Sequence, residues 1–380
     1  AYGGAAEAVM KMCFGNGIGF AYDSARSMKE LFDYSYGSFI LELADDSDVG
    51  IPLGETIPEE VISYHGGSLA LGNLLHAYES VLESVYPCNI PSEDGKIFTF
   101  TYEAGSKAAP AVKTAKPRVL IPVFPGTNCE YDSAKAFADA GAQPELVVIN
   151  NLTAAGISRS AEAFARKIGE SQIIFIPGGF SGGDEPDGSG KFITAFFRNA
   201  GVKEATRELL DRRGGLMAGI CNGFQALVKL GLVPYGKIVD AEEAAPTLTY
   251  NVIGRHQSRL VRTRICSNLS PWLSEVRVGD IVTVPISHGE GRFLASDAVV
   301  RSLAENGQIA AQYVDANGNP TYDVHFNPNG SVCAIEGITS PDGRVFGKMG
   351  HSERVGNGLY KNVEGNFDIG MFRAAVKFFR

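Results

Sequence analysis

The sequence has no uncharged apolar run of 18 or more residues, and no basic segment followed by an apolar one. The longest apolar stretch, 216–234, is interrupted by Asn222, Gln225 and Lys229. From these absences we expect no membrane-spanning segment and no secretion signal. Lysine and arginine form no run and the net charge is −9, which argues against a nucleic-acid partner and favours a small molecule.

Closely spaced cysteines are also missing. The six cysteines are spread along the chain without a CxxC pair or the spacing of zinc ligands. This pattern predicts reduced thiols in the cytoplasm, one of which is a candidate nucleophile.

Glycine, in contrast, is abundant, with 45 of 380 residues and no period, which excludes collagen and favours glycine-rich loops next to a ligand. The length predicts two domains or three small ones. The chain opens Ala-Tyr-Gly-Gly without Met or a helix cap, so we expect a fragment of a longer protein.

A segment of alanine, lysine and proline without apolar periodicity, 103–117, is the predicted linker. Before it, 1–102 mixes helical patterns, as in 68–85, with strand-like runs at 38–43 and 97–102. After it, in 118–380, continuous apolar strands alternate with helices. This alternation predicts an α/β fold with a doubly wound, mostly parallel sheet, in which ligands bind at the carboxyl ends of the strands.

The strongest local signal is Cys221, between a predicted strand at 215–220 and a predicted helix at 222–230. A nucleophile on a tight strand-to-helix turn needs small neighbours, and Gly219 and Gly223 supply them. The start of the following helix would stabilise a thiolate. Alternatively, Cys221 is a buried structural cysteine, and the predicted turn alone does not exclude this interpretation.

Two other segments favour the catalytic reading. The glycine loop at 177–184 follows a predicted strand, where its backbone N–H groups and that of Asn222 would form an oxyanion hole. It does not match a phosphate-binding loop. His351 and Glu353 follow a predicted strand at 345–348, and residues two apart point the same way, so Glu353 would orient His351 as a base. Cys129 and His288 are predicted to line the same cleft.

These motifs together resemble the class I, or triad, glutamine amidotransferases. Within that class they are most similar to the glutaminase domains of the phosphoribosylformylglycinamidine synthase family. The motifs are PGTNCEYD at 125–132, the glycine loop with its following Asp184, GICNG at 219–223, SHGEGRF at 287–293 and GHSER at 350–354. The resemblance covers about residues 116–380.

The resemblance implies that Cys221 is the nucleophile, His351 the base and Glu353 its orienting group, with Gly179 and Asn222 as the oxyanion hole. Gln225 would help to hold the substrate glutamine, and Phe180 and His288 are further predicted substrate contacts. No metal or cofactor is expected for the glutaminase itself. The ammonia released would serve the ATP-dependent conversion of formylglycinamide ribonucleotide to formylglycinamidine ribonucleotide.

More loosely, 1–102 is similar to the C-terminal tail of the synthase domain of that family. The implied partner is thus an upstream synthase domain or a separate synthase subunit. ATP and Mg²⁺ belong to the complete synthase, and we expect their sites mostly upstream of this chain. Two other functions stay open: a cysteine hydrolase, protease or chaperone of the amidotransferase-like class, and a non-catalytic docking module.

Overall fold

The computed structural model describes all residues except 46, 89, 92–94, 182–189, 241, 357 and 361–362. The contacts divide the chain into two units, Ala1–Ile90 and Pro91–Arg380. This division lies before the predicted linker at 103–117, because the preceding residues are held within the second unit. The Phe100 N–H donates to Gln312 Oε1 over 3.0 Å, and the Tyr102 N–H to the Cys266 carbonyl over 2.9 Å. That 1–102 derives from a synthase domain stays a prediction.

The first unit is a small α+β arrangement. Its helices are α1 Gly4–Asn16, α2 Met28–Phe32 and α3 Leu71–Glu83, and its strands are β1 Gly19–Tyr22, β2 Gly54–Ile57, β3 Val61–Tyr64 and β4 Gly67–Ala70. The strands form one sheet in the order β2-β1-β3-β4. The helix predicted over 68–85 therefore begins later, because its first residues pair with β3 instead. The strand predicted at 38–43 is wrong, since that segment has no regular structure.

The second unit alternates strands and helices. Its strands are β5 Arg118–Val123, β6 Gln143–Val148, β7 Ile173–Ile176, β8 Leu216–Ile220, β9 Thr247–Thr249, β10 Gln257–Ile265, β11 Ile281–His288, β12 Arg292–Leu294, β13 Ile309–Val314, β14 Ile335–Thr339 and β15 Val345–Lys348. Its helices are α4 Glu130–Asp139, α5 Ala154–Glu170, α6 Lys191–Phe197, α7 Ala200–Arg207, α8 Asn222–Leu230, α9 Leu232–Tyr235, α10 Asp297–Glu305 and α11 Met371–Phe378. A π-helical turn, Glu208–Arg212, follows α7, and 3₁₀ turns lie at Pro271–Leu273 and Val332–Ala334.

Nine of these strands form one sheet in the order β11-β10-β13-β14-β15-β8-β7-β5-β6. The five strands from β15 to β6 are parallel, and β7 and β8 are buried along their whole length. The predicted α/β fold with a parallel sheet is thus confirmed. The strands from β11 to β14 extend it in antiparallel pairing.

Two predicted elements of this unit are wrong. The segment 97–102 pairs through an isolated bridge at Tyr102 rather than as a strand. The sequence pattern of 331–335 also predicts a strand, but this segment is mostly a 3₁₀ turn, because Cys333 and Ala334 have φ of 51° and 55°, outside the range of a strand. Along the described chain, no helix has the length and apolar character needed to span a bilayer.

Candidate active site

Cys221 lies between β8 and α8 in a strained conformation, with φ 53° and ψ −108°. A Cβ at Gly219 would lie 2.6 Å from the Gly223 carbonyl carbon, and a Cβ at Gly223 would collide with the Ile176 carbonyl oxygen. The Cys221 N–H donates to the Lys348 carbonyl over 2.9 Å. The structure therefore has the tight turn that the two glycines predict, and it is fastened to the end of β15.

The parallel pairing of β8 with β15 brings the second part of the site to the same edge, since Lys348 lies opposite Ile220. His351 lies three residues after the end of β15, and its N–H donates to the Pro285 carbonyl over 2.8 Å. Its Nδ1 lies 2.7 Å from Glu353 Oε1, and both residues are buried. The predicted base and its orienting carboxylate are thus brought together beside Cys221.

The electrostatics of this pair favour a charged imidazole. Burial lowers the pKa of His351, but the Glu353 carboxylate and hydrogen bonds with Cys129, Cys221 and Glu353 raise it well above its usual range. Burial raises the pKa of Glu353, but the charge and hydrogen bond of His351 outweigh this and lower it. Both shifts favour the charged forms of the pair, imidazolium and carboxylate.

A buried ion pair holds the segment that carries His351. Lys348 Nζ lies 3.2 Å from Glu336 Oε1 and donates to the Gly350 carbonyl and to Ser352 Oγ, each over 3.0 Å. Glu336 Oε1 also accepts the Gly350 N–H over 2.8 Å. Lys348 and Glu336 are each 1% exposed, so removing one partner would leave a buried charge without compensation. Nothing in the local sequence points to this pair.

Gly178, two residues after the end of β7, lies beside His351 and Cys221. A Cβ at this position would lie 2.8 Å from His351 Cε1 and 3.4 Å from Cys221 Cβ. The same point is 3.2 Å from Cys129 Sγ. Because Gly178 has no side chain, the imidazole of His351 and the turn at Cys221 can approach each other here.

We expect Gly178→Ala to lower the activity of the predicted catalytic residues by about 100-fold, because displacing a catalytic group by about 1 Å costs that much. Gly169→Ala is the matched control, since a Cβ on this exposed helical glycine meets nothing within 4 Å. Steady-state kinetics and thermal melting of both variants separate the two effects. Full activity of Gly178→Ala would show that the imidazole is not confined by this contact.

The predicted oxyanion donors lie on two adjoining segments. Gly179 pairs with Thr127 through flanking hydrogen bonds, from the Phe180 N–H to the Gly126 carbonyl and from the Asn128 N–H to the Gly178 carbonyl. In this pairing the N–H of Gly179 points away from Thr127. Asn222 begins α8, so its N–H has no acceptor within the helix.

The side chain of Asn222 ties these two segments together. Its Oδ1 accepts from the N–H and Oγ of Ser181, over 3.3 and 2.6 Å, and its Nδ2 donates to Gln225 Oε1 over 3.0 Å. The rest of the predicted glycine loop, 182–184 with Asp184, lies outside the described residues.

The three predicted substrate contacts differ in their surroundings. Gln225 is buried, and its Nε2 donates to the Glu290 carbonyl, so its amide braces the site between Asn222 and Glu290. The ring of Phe180 is half-buried, with its centroid 6.1 Å from that of His256. That any of these side chains holds glutamine stays a prediction.

His288 is buried, and neither ring nitrogen has a hydrogen-bond partner within the part of the chain that is described. Burial, together with the charges of His351 and His256, lowers the pKa of His288 to about 3. Its imidazole is therefore neutral at physiological pH, so it can exchange hydrogen bonds with a ligand without carrying a charge.

Donor atoms of Cys129, His351 and Glu353 lie within 4.8 Å of one another, a set that suits a metal by chemistry. Arg354 Nη2 already donates to Cys129 Sγ over 3.0 Å, and His351 Nδ1 is engaged with Glu353. A cation would have to displace both interactions. The expectation that the glutaminase uses no metal stays a prediction.

The sequence placed Cys129 in the cleft without a role and gave none to Arg354 or His256. His256 Nε2 lies 3.1 Å from Ser287 Oγ, and the Ser287 carbonyl lies 3.8 Å from Cys221 Sγ. The signal for Arg354 was available, because it directly follows Glu353. His256 belongs to β-rich sequence without a motif and offered none.

The family of CobB/CobQ-like glutamine amidotransferase domains matches residues 116–379. The phosphoribosylformylglycinamidine synthase subunit PurQ of Methanococcus maripaludis is 36% identical over 259 residues, which cover 67% of this chain and 86% of that protein. The protein of the same name from Treponema denticola is 37% identical over 255 residues, 63% of this chain and 88% of the relative. A solved structure of PurLQS from Thermotoga maritima shares 25% identity at a TM-score of 0.49, covering 70% of this chain and 100% of the other.

Proposed function

The chain belongs to the family of CobB/CobQ-like glutamine amidotransferase domains, and we propose that it hydrolyses glutamine with Cys221, His351 and Glu353. Its activity is that of the glutaminase part of a phosphoribosylformylglycinamidine synthase, an enzyme of purine biosynthesis. One observation carries the assignment of residues. A buried imidazole, oriented by a carboxylate at 2.7 Å, adjoins a cysteine on a strained strand-to-helix turn.

In the mechanism that we propose, Cys221 reacts as a thiolate with the His351 imidazolium beside it. The raised pKa of His351 favours a proton on the ring, and the start of α8 lies beside the sulfur of Cys221. Glu353 accepts from Nδ1, which directs Nε2 to the nucleophile's side.

In the first half-reaction, the thiolate forms a bond to the side-chain carbonyl carbon of glutamine. The negative charge moves to the carbonyl oxygen, which accepts from the N–H groups of Gly179 and Asn222. The carbon–nitrogen bond then breaks, and His351 Nε2 gives its proton to the nitrogen, which leaves as ammonia. A glutamyl thioester on Cys221 remains.

In the second half-reaction, neutral His351 removes a proton from a water molecule, and the oxygen attacks the thioester carbon. The carbon–sulfur bond breaks, glutamate leaves, and the Cys221 thiolate and His351 imidazolium are restored. Glu353 keeps its charge throughout and stabilises the imidazolium each time it forms.

The ammonia is the substrate of a synthase partner. There it replaces the amide oxygen of formylglycinamide ribonucleotide. We propose that this partner is the domain of which 1–102 is the tail, or a separate synthase subunit, and that the site operates in the cytoplasm. ATP and Mg²⁺ belong to the complete synthase. The described residues of the first unit offer no group of three clustered metal-binding side chains, so we assign no step of that reaction to this chain.

We expect a glutamine-mimicking diazo ketone to alkylate Cys221 and no other cysteine, because the sulfur displaces nitrogen only where the glutamine side chain binds. Cys129 is the built-in control, since it lies beside the same imidazole but is wholly buried under Arg354. Peptide mass mapping after inactivation locates the label. A label on Cys129, or no label, would contradict the assignment of the nucleophile.

A further inference from the structure

A second sulfur lies within the triad. Cys129 immediately precedes α4 and is fully buried, and its side chain makes no capping hydrogen bond to the helix. Its Sγ lies 3.8 Å from His351 Nδ1, the nitrogen that also contacts Glu353. The thiol is therefore directed at the edge of the imidazole that orients the ring, and it does not stabilise the helix.

The same sulfur links the imidazole to a cation. Arg354 Nη2 donates to Cys129 Sγ over 3.0 Å, and the thiol donates to Asn128 Oδ1 over 2.9 Å. Burial lowers the pKa of Arg354, but the charges and hydrogen bonds of Cys129, Glu353 and Asp132 raise it overall. Arg354 is thus a permanent cation close to an imidazole that is itself charged in the resting site.

Sulfur is soft and polarizable, and it accepts weak hydrogen bonds. Placed between the guanidinium and the imidazole, it contacts both of these cationic groups. Glu353 contacts Nδ1 through one oxygen. On its own, this single hydrogen bond would still let the imidazole ring rotate about it. A second contact at the same nitrogen limits the pivot.

We propose that Cys129, held by Arg354, is a positioning residue for His351: 3.8 Å from Nδ1, its sulfur shares the single Nδ1 proton with Glu353 as a weaker second acceptor, and it limits rotation of the ring away from the orientation that presents Nε2 to Cys221. This inference rests on the proposed function of the triad. It adds a cysteine that never bonds to substrate and an arginine that acts through it.

The titratable and charged groups that face His351 are Cys129, Cys221, His288, Glu353, Arg354 and Tyr360. Among them, the contact with Cys129 raises the pKa of His351. Removing the sulfur therefore lowers that pKa, and the imidazolium loses its proton at a lower pH. The alkaline limb of the pH–rate profile should move in the same direction.

The test compares Cys129→Ala, Cys129→Ser and Arg354→Met with wild type in glutamine hydrolysis. We expect Cys129→Ala to lower kcat by about tenfold, the smaller end of the range for outer-shell groups that orient metal-bound histidines, with KM within about twofold. Its alkaline limb should move to lower pH. Cys129→Ser should recover part of kcat, because its hydroxyl also accepts a hydrogen bond.

Arg354→Met in the Cys129→Ala background should cost little more than Cys129→Ala alone, since the arginine acts through the sulfur. Cys266→Ala is the control for loss of a buried thiol: it lies after β10, with Sγ 3.3 Å from Gln312 Oε1, and should lower the melting temperature without changing kcat or the pH profile.

An active wild type with an unchanged kcat and alkaline limb in Cys129→Ala would overturn the inference and leave the triad intact. Fully additive losses in the double variant would remove Arg354 from it. An inactive wild type with its synthase partner present would instead overturn the proposed function.

Discussion

Cys221→Ala should lower glutamine hydrolysis by at least about 10⁴-fold. In hydrolases with a catalytic triad, removal of one triad residue lowers kcat by about 10⁴-fold to 10⁶-fold. Without the sulfur no thioester forms, and the oxyanion donors at Gly179 and Asn222 would have to act on direct attack by water. The measurement is glutamate release under saturating glutamine.

Its control is the synthase reaction supplied with ammonium. In the complete enzyme, Cys221→Ala should form formylglycinamidine ribonucleotide from free ammonium at the wild-type rate, because the substitution leaves the partner's site untouched. Loss of both activities would mean that the elbow is structural, which is the alternative that the sequence left open. The alanine adopts the same strained conformation with φ 53°, so any change in the melting temperature should be small.

The parts of this site that could be predicted from the sequence are those in which local sequence fixes local geometry. Gly219 and Gly223 predict the turn at Cys221. A side chain at Gly219 would collide with Gly223, and one at Gly223 would collide with Ile176. His351 and Glu353 are two residues apart and do meet, but the extended backbone predicted for them is wrong: the Arg354 N–H donates to the His351 carbonyl over 3.1 Å, and this turn brings the two side chains together. Each of these signals lies within a few residues.

The parts that escaped prediction depend on contacts between distant segments. Cys129 reaches His351 across 222 positions, through the order in which β5, β7, β8 and β15 are placed in the sheet. Lys348 is a charged residue at the end of an apolar strand, and its pairing with Glu336 follows only from the antiparallel register of β14 and β15. Sequence periodicity reports which face a residue occupies but does not reveal its partner across the sheet.

The antiparallel half of the sheet was harder for a related reason. The strands β10 and β11 alternate buried and exposed residues over part of their length, a pattern that also fits a separate β-layer. Nothing local shows that they continue the parallel sheet through β13 and β14. This extension matters for the site, because β11 supplies the Pro285 carbonyl that holds the His351 N–H and the Ser287 carbonyl beside Cys221.

Glu353→Gln should lower kcat by about 10⁴-fold, the loss found when the orienting carboxylate of a serine-protease triad becomes an amide. The shape is retained, but an amide can present its NH₂ group to Nδ1, which places the ring proton on the wrong nitrogen. The negative charge is also lost. Burial, which lowers the pKa of His351, is then opposed only by the weaker cysteine contacts, so the pKa falls.

The lower pKa gives this prediction a second readout. With the carboxylate present, the imidazolium persists to a pH well above the usual pKa of histidine. The alkaline decline in activity should therefore begin only above that pH. In Glu353→Gln the remaining activity should decline at a lower pH, because the imidazolium loses its proton to solvent at a lower pH. Glu353→Asp is the matched control: it keeps the charge with a shorter reach, so it should lose kcat while its alkaline limb stays closer to that of wild type. A Glu353→Gln enzyme with kcat within about tenfold of wild type and an unmoved alkaline limb would show that the contact of 2.7 Å between Glu353 and His351 does not orient the catalytic base.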